Sequence, residues 1–139
     1  MQKTLETWFG RVWQERDAAA IDEMMVADTT AHGLGAQALV GPAAFKAFHR
    51  QVCALLHDTD IVIDQCIEAD GWLAVLCTFS GTSAAGKGVS ISGAIHARIA
   101  DGKIREAYNH FNFIDLFIQL ELAPPDSFAR GLAGQPICR

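Results

Sequence analysis

The chain has 139 residues, half of them hydrophobic, with 11 Lys and Arg against 16 Asp and Glu for a formal net charge of −5. Cations this sparse and scattered exclude the footprint of a nucleic-acid binder, which needs them clustered on one face. The length suits one domain, residues 1–139, able to bury a core without staples. Cys53, Cys66, Cys77 and Cys138 form no Cys-x-x-Cys pair and are expected to be reduced thiols.

The first residues, Met1-Gln2-Lys3-Thr4-Leu5-Glu6, carry an acid where a signal peptide would build its apolar segment. No apolar run approaches the roughly 18 residues of a membrane span, so a cytoplasmic protein without a membrane partner is expected. Leu5, Trp8, Phe9, Val12 and Trp13 then recur at helical spacing and form one apolar stripe that must face a core. Asp17 is placed to cap a short second helix carrying Ile21, Met24 and Met25. Gly41-Pro42 opens a third, because proline suits a first helical turn, and Phe45, Phe48, Val52 and Leu55 supply its stripe.

Four strand-like runs follow, at 59–69, 72–82, 88–100 and 103–111. Asp70-Gly71 and Asp101-Gly102 tolerate the positive φ angles of tight hairpin turns. Asn112 caps a fourth helix bearing Phe113, Leu116, Phe117 and Leu120, and Pro124-Pro125 prevents its continuation. From about residue 123 an irregular tail is expected. Helices first and consecutive hairpins later predict an α+β domain: a curved antiparallel sheet with helices on its concave face.

The strand around Ala107-Tyr108-Asn109-His110-Phe111, with Val12-Trp13-Gln14-Glu15-Arg16-Asp17, His32-Gly33-Leu34-Gly35, Gly41-Pro42-Ala43-Ala44-Phe45 and Arg98-Ile99-Ala100-Asp101-Gly102-Lys103-Ile104, resembles the SnoaL-like polyketide cyclases and ester cyclases of the nuclear-transport-factor-2-like superfamily. The resemblance implies a cone-shaped α+β barrel enclosing a pocket for a small hydrophobic or aromatic, polyketide-like molecule. It also implies cofactor-free acid/base chemistry and a homodimer paired through the outer sheet face. Members with cyclase chemistry carry Trp-Asp where this chain has Tyr108-Asn109, and that Asp is their general acid/base. An amide hydrogen-bonds but does not exchange protons near neutral pH. Similarity to the ketosteroid isomerases puts His32 near their catalytic Asp, whereas Phe9 and Ile95 stand where those enzymes keep the two donors that stabilise an enolate.

Strand alternation selects the pocket wall. If Asn109 faces inward, so do Ala107 and Phe111, while Glu106, Tyr108 and His110 face outward. The neighbouring strands contribute Ile91, Gly93, Ile95, Ala97, Ile99, Cys77 and Phe79, and the helices contribute Trp13 and Phe48. The candidate catalytic residues are therefore His32, as proton carrier, and Asn109, as positioner of a substrate oxygen. The candidate substrate-binding residues are Trp13, Phe48, Cys77, Phe79, Ile95, Ala97, Ala107 and Phe111. The alternative is a binding or accessory protein that uses the same pocket without catalysis. His49, Cys53 and His57 share a four-residue spacing compatible with zinc, but no fourth ligand is evident and no metal or cofactor is expected. Outward Trp72, Leu76, His96, Tyr108 and His110 form the apolar, aromatic face expected to pair two copies.

Overall fold

The computed structural model describes residues 1–137. The first helix, α1 (Gln2–Phe9), runs on into a π-helical turn at Gly10–Gln14. Its stripe is buried as the spacing requires: Leu5, Trp8, Phe9, Val12 and Trp13 are each at most 6% exposed. The wide turn leaves carbonyls without helical partners, and other elements supply them. The ring of His49 donates through Nε2 to the Val12 oxygen at 2.7 Å, and the Thr59 hydroxyl donates to the Trp13 oxygen at 2.7 Å. These two bonds tie the first helix to the third helix and the third strand.

The second helix, α2 (Ala19–Met24), starts with Asp17 accepting from the Ala19 amide at 3.0 Å. Arg11 donates to the same carboxylate and holds it below the usual carboxylate range. The chain then enters β1 (Met25–His32) and the two-residue β2 (Leu39–Val40), followed by α3 (Gly41–Leu55) with Pro42 in its first turn. The four long strands are β3 (His57–Ala69), β4 (Trp72–Thr82), β5 (Gly88–Ala100) and β6 (Lys103–Phe111). Asp70, Gly71, Asp101 and Gly102 all have positive φ, as the hairpins require. In α4 (Phe113–Gln119), the Asn112 side chain caps the Asp115 amide at 3.1 Å. The segment expected to be an irregular tail contains a further short helix, α5 (Ser127–Leu132), beginning two residues after Pro125.

The sheet is six-stranded and open, in the order β2-β1-β6-β5-β4-β3. Every pairing is antiparallel except β1 with β6, which is parallel and carries a register shift between Met25 and Thr30. The fold is thus the expected α+β architecture with one departure from a purely antiparallel sheet. Inner positions alternate as predicted, with Ile91, Ile95, Ala97 and Ile99 of β5 and Leu73, Val75, Cys77 and Phe79 of β4 all buried. Burying each larger aliphatic side chain contributes about 2 kcal/mol. The α4 helix is fastened over one end of the sheet by Gln119, whose side-chain amide accepts from the Ser90 amide at 3.1 Å and donates to the Ser90 carbonyl at 2.8 Å. That pair extends the hydrogen-bond ladder beyond the last β5–β6 partners, Gly93 and Phe111.

Candidate functional site

Between the inner sheet face and the helices lies a cavity of about 410 Å³. α1 contributes Leu5, Trp8 and Phe9, and Trp13 follows from the π turn. α3 contributes Phe45, Phe48 and Val52, and α4 contributes Phe113, Leu116 and Phe117. The sheet supplies Ile61, Phe79, Ile95, Ala97, Ala107, Asn109 and Phe111. Exposed Gly35, Gln51 and Phe117 also border the cavity and mark its edge toward solvent.

Ring packing shapes the wall. Trp13 meets Phe79 edge-on at 5.6 Å and Phe48 at 6.4 Å, and Phe111 meets Phe79 at 6.3 Å. Phe111 lies where it does because residue 93 is glycine: a Cβ there would sit 2.2 Å from its ring. Phe9 and Ile95, which stand where isomerase-like chemistry would need donors, are both in the wall and donate nothing.

Among the described residues, no acid, imidazole, thiol, ammonium or phenol lines this cavity. The polar groups of its lining residues are the amides of Asn109 and Gln51, the hydroxyls of Thr29 and Thr30, and the indole N–H groups of Trp8 and Trp13. Thr29 is committed elsewhere, since it donates to the Ile104 carbonyl at 2.6 Å and accepts from the Val26 amide at 2.9 Å. Thr30 also borders a polar cleft beside Asp28, Arg98, Arg105 and Glu106. The amide of Asn109 is oriented: its Nδ2 donates to the main-chain carbonyl of His32 at 2.9 Å. A carbonyl accepts only from a donor, so Oδ1 is the atom turned from that bond and is left free to accept.

Of the residues read from the sequence as site candidates, Trp13, Phe48, Phe79, Ile95, Ala97, Ala107, Asn109 and Phe111 come together around this cavity. His32 and Cys77 do not. The parallel register pairs Ala31 with Ala107 and His32 with Tyr108, so Ala31 takes the wall position and the imidazole falls on the opposite face. There its ring stacks on Tyr108, with centroids 4.5 Å apart and planes 7° from parallel. Cys77 is on the inner face, fully buried, but does not line the cavity. Its thiol turns toward the Gly93 carbonyl at 3.6 Å, and burial pushes its pKa up to about 11.

The wall residues from α1 and α4 were legible only as core stripes, because helical periodicity marks an apolar face without saying whether a neighbour or a void meets it. The spacing that suggested zinc is used otherwise. His49 is bonded to Val12, His57 begins β3 rather than continuing α3, and burial raises the pKa of the Cys53 thiol. Cys138 lies outside the described residues, whereas Cys53, Cys66 and Cys77 are free thiols.

The outer face of the same strands is chemically opposite. Tyr108 packs between His32 and Trp72, and Trp72 packs on His96 at 4.6 Å. The Tyr108 hydroxyl donates to Glu106 at 2.6 Å, and Arg98 approaches the same carboxylate at 3.4 Å. The Tyr108 hydrogen bond, aided by Arg98, holds the Glu106 carboxyl below its usual range. The same bond raises the Tyr108 phenol.

A profile of the SnoaL-like domain matches residues 5–107. No curated protein matches the chain by sequence. Among solved structures, IdmH from Streptomyces antibioticus, a proposed polyketide cyclase, is similar at 14% identity and TM-score 0.75, over 86% of this chain and 97% of that one. A proposed SnoaL-like polyketide cyclase from Jannaschia sp. CCS1 is similar at 16% identity and TM-score 0.74, over 88% and 92%. A protein of ketosteroid isomerase-like fold from Catenulispora acidiphila, solved in complex with trimethylamine, is similar at 13% identity and TM-score 0.74, over 85% and 92%. No helix among the described residues is long and apolar enough to cross a membrane.

Proposed function

The chain belongs to the SnoaL-like domain family, and from that premise we propose that its cavity binds a small hydrophobic or aromatic molecule without supplying an acid or base to it. The observation that carries this reading is the wall itself: among the described residues it is mostly aromatic and aliphatic, with one oriented amide and no side chain that titrates near neutral pH. Cavities of this size with few polar groups suit drug-sized ligands. Proton transfer beside a carbonyl needs a group within hydrogen-bond reach whose pKa lies near the working pH, and an amide does not qualify.

The test is direct. A neutral solvatochromic dye such as Nile red should bind at one site per chain, and Ala107→Phe, which fills the cavity from β6, should abolish that binding while the protein remains folded. A wild-type protein that binds no apolar dye contradicts the reading.

Family membership favours a second reading, a cofactor-free cyclase or isomerase in which Asn109 positions a substrate oxygen, and for His32 to carry protons in it the imidazole must leave its stack on Tyr108 for the cavity side. Under this reading a substrate is turned over and His32→Ala lowers that turnover by about 10² or more; under the first no substrate is turned over.

The outer face fits a second copy of the chain. Leu76 and Val62 are about half exposed, and Ala74 and Ala94 beside them leave a low surface that a flat partner can approach. Light scattering should then give roughly twice the 15.0 kDa chain mass.

A further inference from the structure

We propose that the cavity selects an uncharged ligand that carries a hydroxyl group, and that the Asn109 amide is the residue that receives that hydroxyl. The inference rests on the reading of the cavity as a ligand site and specifies what that site accepts.

The first half follows from charge. Among the described residues, the wall holds no Lys, Arg or His to meet an anion and no Asp or Glu to meet a cation. Moving an unpaired carboxylate from water to such a wall costs several kcal/mol, and nothing there offsets it. A carboxylic acid therefore enters only as its neutral form, and its apparent affinity is scaled by the fraction protonated.

The second half follows from the orientation of one amide. With Nδ2 held 2.9 Å from the His32 carbonyl, the Asn109 Oδ1 is an acceptor without a donor among the described residues. Of the other polar groups among the lining residues, Thr29 is already bonded to Val26 and Ile104, Thr30 pairs with Glu106 and also borders the polar cleft, Gln51 lies exposed at the edge, and the indoles of Trp8 and Trp13 donate but do not accept. A ligand hydroxyl that donates to Oδ1 recovers a hydrogen bond that an apolar ligand forfeits, and one such bond is worth roughly 3- to 10-fold in affinity.

Three anthracenes differing in one substituent separate these claims: the methyl, hydroxymethyl and carboxyl derivatives, titrated by energy transfer from protein tryptophan between about pH 5.5 and 8. The expected order is hydroxymethyl above methyl by several-fold, with both independent of pH. The carboxyl derivative should be more than about 10²-fold weaker at the upper end and should weaken about tenfold for each unit of rising pH. In Asn109→Leu, whose folding is checked by its melting curve, the hydroxymethyl preference should vanish while the methyl derivative still binds. Carboxylate binding equal to that of the alcohol, without a pH slope, overturns charge selection. A preference for the hydroxymethyl ligand that survives in Asn109→Leu overturns the role of the amide. Binding of none of the three overturns the ligand-site reading itself and this inference with it.

Discussion

The two faces of β6 hold different chemistry one residue apart. Inward, Ala107, Asn109 and Phe111 line an apolar cavity; outward, Glu106, Tyr108 and His110 join a face with Arg98, His96 and His32 that carries titratable groups. From Glu106 to Phe111 a period of two makes this separation, because each neighbouring side chain points the other way. A titratable side chain adjacent in sequence to a cavity wall is not thereby in the cavity. His32 follows the wall residue Ala31 directly, yet its ring stacks on the far side of the sheet.

The partition breaks most severely at Gly33. Its φ is +85°, and a Cβ would fall 1.8 Å from the backbone oxygen of Asn109. Gly33→Ala should therefore cost more than about 4 kcal/mol or prevent folding, because both the backbone angle and the contact between this turn and β6 must yield. Chemical denaturation checks it, and a loss below about 1 kcal/mol would show that the turn moves freely.

Asn109→Asp sharpens the comparison by placing a carboxyl on the inner face. The oxygen that replaces Nδ2 meets the His32 carbonyl and can donate only when protonated, so the folded-state pKa is raised. The sign follows from that: the variant keeps its stability below the ordinary carboxylate range and loses it as pH rises toward the raised value. A carboxyl held tenfold harder to ionise in the folded state costs about 1.4 kcal/mol at neutral pH, and one held a hundredfold harder costs about 2.7 kcal/mol. Unfolding free energies at pH 4 and pH 7.5, variant against wild type, provide the check.

Phe111→Ala enlarges the cavity and should cost roughly 3 kcal/mol at acid and neutral pH alike. Comparable in size to the Asp effect at neutral pH, it differs in being flat with pH, and a pH-dependent loss would mean that Phe111 shields a titrating group.

The smallest effect is expected outside. Glu106, held below its usual range by Tyr108 and Arg98, contributes stability that is present above the ordinary carboxylate pKa and is lost as pH falls through the depressed one. Tyr108→Phe should make the acid limb of the stability curve shallower while leaving dye binding unchanged. A change in binding would connect the two faces.

Much of this was legible in the sequence. The spans of β4, β5 and β6, their turns and most of their inward phase follow from period-two patterning and two Asp-Gly dipeptides, so Phe79, Ile95, Ala97, Ala107, Asn109 and Phe111 could be named, whereas Ile104, beyond a register shift between β5 and β6, could not. His32 could not be assigned a face in the same way. Its direction depends on a parallel pairing with a strand far along the chain and on a register shift inside β1, and neither leaves a local mark. The π turn was hidden too, since the apolar stripe of α1 continues across it without interruption, and what holds it, His49 and Thr59, is distant in sequence. Cys77 was correctly placed on the inner face, but phase does not say which inner residues meet the void.

The central claim, that ligand binding and titratable chemistry occupy opposite faces of one sheet, is tested most directly by the affinity of a neutral dye measured from about pH 5.5 to 8.5 in wild type and in His32→Ala. The account predicts two flat, superimposable curves. A step in the wild-type curve near neutral pH that disappears in His32→Ala would place the imidazole in the binding site and contradict it.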